Sequence, residues 1–151
     1  MKLPEDFRDF FVVLNKYEVN YMVVGGFAVI HHGYNRHTGD LDIWVEQTSD
    51  NFKKLIRAFA DFGFPTHAID EAAFLGNEND VYTFGRQPLS IEILTAVKGL
   101  KFEECIGNAE RVKLEDVEVN MIDVRDLIKA KKAAGRLQDQ IDIEKLSGGK
   151  K

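Results

Sequence analysis

The sequence predicts an α/β (α+β) domain: a mixed β-sheet flanked by helices, with two more helices at the C-terminal end. Three observations predict it. Short runs of β-branched and aromatic residues alternate with amphipathic segments along the chain. Two of the runs, 81–84 and 89–94, are separated by a turn containing Gly85 and Pro88, so part of the sheet is antiparallel. At 151 residues the chain is long enough to bury a core without disulfide or metal staples, and too short to favour a second one.

The elements follow in order. Pro4 suits a first helical turn, and Phe7, Phe10, Phe11 and Leu14 recur at helical spacing, which predicts an amphipathic helix over 4–17. Residues 21–24 are largely apolar and run into Gly25-Gly26, the pattern of a buried strand ending in a glycine turn. A short helix over 27–32 would stop at Gly33. Residues 41–45 form the clearest strand, with Leu41, Ile43 and Val45 on one face. Ser49 is the expected cap of the next helix, where Phe52, Leu55, Ile56 and Phe59 keep the i, i+3, i+4, i+7 pattern until Gly63 and Pro65 end it. Residues 66–79 carry no clear period. After the hairpin, residues 117–121 alternate as a strand, and Asp123 caps a helix bearing Leu127 and Ile128. Gly135 separates that helix from a last one holding Leu137, Ile141 and Leu146. One domain over 1–147 is expected, followed by a flexible polar tail at 148–151.

Composition narrows the function. Apolar residues make up 44% and charged residues 30%, the profile of a folded soluble protein. Twenty Lys+Arg stand against 25 Asp+Glu, a net charge of -5, which is the wrong balance for a generic nucleic-acid binder or a processive polymerase. Cys105 is the lone cysteine, which excludes an intrachain disulfide and fits a reducing compartment. The N-terminal residues lack the apolar core of a signal peptide, and no run approaches the roughly 20 apolar residues of a membrane span, so a cytoplasmic protein with no membrane partner is expected.

The chemistry gathers at Asp40-Leu41-Asp42. Aspartate is disfavoured in strands, yet two stand at the opening of the most apolar one, and a period of two puts both carboxylates on one face. Such a pair repels itself unless a cation lies between, and Mg2+ or Mn2+ is the natural partner. Read alone, the pair fits a solvated strand end equally well. Gly25 and Gly26, ahead of a helix, could admit a phosphate to the free backbone N–H groups; a plain tight turn is the competing reading. Neither a Walker A pattern nor G-x-G-x-x-G is present. Glu92, between Ile91 and Ile93, either faces solvent or joins the aspartates if its strand neighbours theirs. Arg36 could reach a phosphate, or be a surface arginine. Trp44 shares the Asp42 face and could border a base or pack in the core. Lys129, Lys132 and Arg136 form one basic stripe if the helix runs on through Gly135, with Asp139 and Asp142 placed to pair with Arg136 and Lys132. The histidines at 31, 32 and 37 do not have the spacing of a helical zinc pair.

The residues Val23-Val24-Gly25-Gly26-Phe27-Ala28, His32-Gly33, Arg36, Thr38 and Asp40-Leu41-Asp42-Ile43 resemble the nucleotidyltransferase fold of the DNA polymerase beta superfamily, and its small bacterial abortive-infection and toxin-type branch above all. A second block, Leu127-Ile128, Lys132, Ala134-Gly135-Arg136, Asp139, Asp142-Ile143 and Leu146, resembles the same branch, so the two blocks bracket residues 23–146. Gln138 departs from it, standing where a basic residue is expected. The resemblance implies that Gly25 and Gly26 cradle a triphosphate, with Arg36, Lys132 and Arg136 as further nucleotide contacts. It implies that Asp40, Asp42 and Glu92 hold magnesium (or manganese) and carry catalysis. The reaction implied is transfer of a nucleoside monophosphate from an NTP, such as ATP, to an acceptor hydroxyl on RNA (a tRNA end), a protein or a small molecule, with release of pyrophosphate. The alternative is a nucleotide-binding or regulatory module without turnover, such as one component of a toxin–antitoxin pair. A cognate antitoxin or partner subunit is then expected.

Overall fold

A computed structural model describes residues 2–76, 81–86 and 89–148. The chain runs α1 (Glu5–Lys16), β1 (Tyr21–Val24), α2 (Gly25–His31), β2 (Asp40–Val45), α3 (Ser49–Phe62), α4 (Glu71–Gly76), β3 (Val81–Arg86), β4 (Leu89–Leu94), α5 (Phe102–Cys105), β5 (Glu110–Leu114), β6 (Val117–Met121), α6 (Val124–Ala134) and α7 (Leu137–Gly148). The six strands form one mixed sheet in the order β3-β4-β2-β1-β6-β5. β1 is antiparallel to β2 and parallel to β6, while β2 is parallel to β4. The β3–β4 and β5–β6 pairs are antiparallel.

The periodicities act as the sequence predicts. Phe7, Phe10, Phe11 and Leu14 are buried along α1, which packs against α3. Phe10, Phe59, Phe62, Phe64 and Phe84 meet in a chain of ring contacts with centroids 4.6–6.2 Å apart. Rings this close in offset and edge geometries each add about 0.5–1.5 kcal/mol beyond their buried area. The strand β1, buried at all four positions, sits third from one edge with neighbours on both sides. Trp44 is 1% exposed and meets the Phe102 ring edge-on at 5.2 Å, so it packs in the core.

Several expectations need correction. The α3 cap is Thr48, whose side chain accepts from the Asn51 amide, and Ser49 is already helical. Residues 66–79, left without a pattern, contain a 3-10 turn at Thr66–Ala68 and the short α4, while 77–79 lie outside the described residues. β5 and α5 add a strand and a helix that the sequence reading did not contain. Gly25 and Gly26 are the first two residues of α2 and not a turn before it. Gly148, placed in the expected tail, completes α7; residues 149–151 of that tail lie outside the described residues, as does the Gln87–Pro88 part of the expected hairpin turn.

Candidate active site

The site forms where β1 ends, β2 begins and β4 runs alongside. The parallel β2–β4 register sets Asp42 opposite Glu92 and Asp40 opposite Ser90. A one-residue slip would send Glu92 to the other face; the observed register puts the two carboxyl groups within hydrogen-bonding contact. Burial, then the hydrogen bond and charge of Glu92, then the charge of Asp40, push the Asp42 carboxyl up to about 8, against the opposing pull of Lys131. Asp42 therefore holds its proton at neutral pH. Its Oδ1 is buried and has no hydrogen-bond partner. Asp40 takes another path: its Oδ1 accepts from Ser90 Oγ at 2.6 Å. The three carboxylates thus share a face, as predicted, but they do not close on one point. Among the described residues no three His, Cys, Asp or Glu side chains do.

The glycines are required by closeness. Gly25 sits at φ +68°, and a Cβ there would overlap Asp42 Oδ2. A Cβ on Gly26 would come within 2.6 Å of Thr38 Oγ1. The pair lets the start of α2 lie directly against the Asp42 carboxylate and the loop that feeds β2. The donor set is entirely hard oxygen with one orphaned buried atom, so the residues present fit a hard divalent cation.

The C-terminal block is an ion-pair clip. Lys131, 7% exposed, has Nζ 3.0 Å from both Asp139 Oδ1 and Asp142 Oδ2. Arg36 grips Asp142 with both arms, Nε to Oδ1 at 3.0 Å and Nη2 to Oδ2 at 3.1 Å. Arg136 holds Asp139 at 2.7 Å, and Gln138 Nε2 donates to Asp142 Oδ1 at 2.8 Å. Asp139 is held down to about 2: burial alone would raise it, but the hydrogen bonds from Arg136 and Lys131 and the charge of Lys131 prevail. The expected stripe of Lys129, Lys132 and Arg136 does not exist, because α6 ends at Gly135 in the left-handed conformation. Lys131, one residue earlier than expected, is the buried partner, and Lys132 is exposed. Arg36 is occupied by Asp142 and is not an open surface arginine. Gln138, noted as a departure, serves the same carboxylate.

A cavity of about 210 Å³ opens against Gly25 and Asp42, lined also by Lys98, Lys131, Arg136 and Asp139 and by apolar residues that include Val97 and Leu127. Lys98 and Lys131 were not singled out in the sequence. Lys131 could have been found from its position four residues after Leu127, on the face of α6 that is buried.

A family model described as a nucleotidyl transferase of unknown function (DUF2204) matches residues 4–149. The crystal structure of a "putative nucleotidyltransferase" from Thermotoga maritima is similar in fold, with a TM-score of 0.67 at 14% identity over 99% of this chain and 96% of that one. No curated protein matches the sequence.

Proposed function

Because the chain belongs to this nucleotidyl transferase family, we propose that it is a metal-dependent enzyme that moves a nucleoside monophosphate from an NTP to an acceptor hydroxyl and releases pyrophosphate. The observation that carries the reading is the face shared by Asp40, Asp42 and Glu92, with Asp42 Oδ1 buried without a partner and Gly25 leaving room for Oδ2. When bound by Asp40 and Asp42, with Glu92 as the third carboxylate, Mg2+ or Mn2+ would neutralise the phosphate charge and polarise the reacting oxygens.

The chain's own residues do the rest. The small cavity beside Asp42 takes the NTP, its apolar residues Val97 and Leu127 against the base and Lys98 toward the phosphates. Gly25 and Gly26 bring backbone close to the phosphate chain. Glu92 stands opposite Asp42 on β4, so its carboxyl group is placed to take the proton that the acceptor hydroxyl gives up as its oxygen attacks the α-phosphorus and pyrophosphate departs. Arg36, through Asp142, is a positioning residue for the loop that leads into Asp40.

Purified protein incubated with Mg2+, each labelled NTP and a panel of acceptors should yield labelled product. Asp42→Ala should lower the rate by about 10³-fold or more, as loss of a transition-state charge partner does. Activity that survives Asp42→Ala overturns the assignment.

A further inference from the structure

The two edges of the sheet are built differently. At one end β5 carries Glu110, Arg111 and Lys113, charges that deter a further strand. At the other end β3 pairs with β4 alone among the described strands. Its run Val81-Tyr82-Thr83-Phe84-Gly85 carries no charge, and Val, Tyr, Thr and Phe all favour strands. Val81, 51% exposed, is the most exposed large apolar side chain on any described strand.

The backbone of this edge faces outward at known positions. The Ser90 N–H donates to Gly39 O at 3.1 Å, on the β2 side of β4. Alternation along β4 sends the polar groups of Glu92 and Leu94 the same way, and those of Ile91 and Ile93 toward β3. Thr83 stands opposite Glu92, and Val81 opposite Leu94. The N–H and C=O groups of Val81 and Thr83 therefore point away from β4, to the open edge. An outward row of this kind with no charge beside it is a template for strand addition.

We propose that β3 pairs antiparallel with β3 of a second copy of this chain, about an axis at Thr83, so that the two six-stranded sheets join into one. The proposal goes beyond the nucleotidyl-transfer reading and does not depend on it. A two-fold axis normal to the sheet keeps each face on its own side, so residues that meet must share a face. Centred on Thr83, that register sets Thr83 against Thr83 of the second copy, and Tyr82 against Phe84 of the second copy on both sides of the axis. Threonine pairs and aromatic pairs are cross-strand combinations that stabilise a sheet, and no charge meets its like. This match of the strand to itself is what selects a second copy over an unrelated strand. Phe84 already stacks on Phe64 and meets Phe59 edge-on, so the aromatic layer continues across the joint. On the other face Thr83 neighbours Glu92, which neighbours Asp42. Both carboxylate faces then open on the same side of the joined sheet, the two copies of Glu92 three strand spacings apart, about 14 Å.

The contact is one strand long, so the dimer belongs to the weak, reversible class. Sedimentation equilibrium of the full chain, without metal or NTP, from about 10 µM to about 1 mM should show monomer–dimer exchange with a Kd of about 10⁻⁴ M. Thr83→Pro removes an N–H that β4 does not use, so the β3–β4 ladder survives while Kd rises at least tenfold. Thr83→Lys sets like charges against each other at the axis and should raise Kd as much, which covers a proline variant that fails to fold. Gln140→Lys, the same change of charge at an exposed position on α7, should leave Kd unchanged. Under a mild thiol oxidant Thr83→Cys should give a covalent dimer, because the Cα atoms of such a pair lie about 5.5 Å apart. Gln140→Cys should not, and the native Cys105 is buried. A monomer at every concentration, equal association of Thr83→Lys and wild type, equal loss in Gln140→Lys, or equal cross-linking of the two cysteine variants each overturns the proposal. A monomeric protein that transfers nucleotides refutes this proposal alone, and a dimer through β3 that transfers none refutes only the enzyme reading.

Discussion

At the scale of single residues, the site depends on what is missing from Gly25 as much as on what Asp42 carries. A left-handed backbone costs a non-glycine residue roughly 1–2 kcal/mol. At Gly25 that cost is joined by the overlap of a new Cβ with Asp42 Oδ2. Gly25→Ala should therefore lower the melting temperature by several degrees and displace Asp42. A misplacement of ~1 Å at a reacting centre costs about 10²-fold, so kcat should fall by that order even after correction for the folded fraction. A Gly25→Ala protein with full activity would show that Asp42 does not need its observed place. The same contacts explain which residue-level signals were legible in the sequence. Asp40 and Asp42 stood out because carboxylates are out of place in an apolar strand, and Glu92 because it interrupts β-branched neighbours. The Gly25–Asp42 contact was invisible, since nothing in a linear pattern says which side chain will press on a glycine. The same is true of Ser90, whose hydroxyl donates to Asp40.

At the scale of elements, legibility followed length and burial. α1, α3, β1 and β2 were readable because each has a buried stripe or face that repeats. β5 was not, because Glu110-Arg111-Val112-Lys113-Leu114 is an edge strand whose charged residues guard it against further pairing, so it reads as polar chain. α4 and α5, at six and four residues, are too short to show a helical period. The α6–α7 corner was legible in its residues and misread in its pairing, because Gly135 ends α6 and rotates Arg136 out of the line of Lys129 and Lys132. That corner also carries a pH dependence. The Asp139 carboxyl is held at about 2 in the folded state against 3.8 as its ordinary value. Its pairing stabilises the fold fully above the unfolded value and is lost as pH falls toward the folded one, a total of about 2 kcal/mol. Urea midpoints at pH 6 and pH 3 should show Asp139→Asn losing about 1 kcal/mol less stability than the wild type across that interval. Parallel acid profiles for the two proteins would mean that the corner contributes no such linkage.

At the scale of the whole molecule, the candidate site is assembled from segments far apart in the chain, with α7 packed beside it. Asp42 and Glu92 meet across fifty residues through a parallel strand pair, which local sequence cannot specify; only the resemblance to a known arrangement placed those strands side by side. Arg36 reaches across 106 residues to Asp142 on α7, and Lys131 ties that helix back to α6. Beside the two readings of Arg36 that the sequence left open, a phosphate contact and a surface arginine, the structure adds a third in which it ties α7 to the loop entering β2. These readings make different predictions. If Arg36 served only to bind nucleotide, Arg36→Gln would raise KM and leave the metal- and nucleotide-free protein unchanged. As a fastener, its loss removes two charge-assisted hydrogen bonds from a carboxylate that is 0% exposed. Lys131 and Gln138 remain to hold Asp142, so the cost should be about 2 kcal/mol rather than that of a fully orphaned charge. Arg36→Gln should therefore shift the urea midpoint of the ligand-free protein downward. It should also speed hydrogen exchange together in two places, the amides of residues 34–39 and those of α7, which share no stretch of sequence. Unchanged exchange in α7 would show that the helix is docked by its apolar contacts alone, and would return Arg36 to the role of a ligand contact.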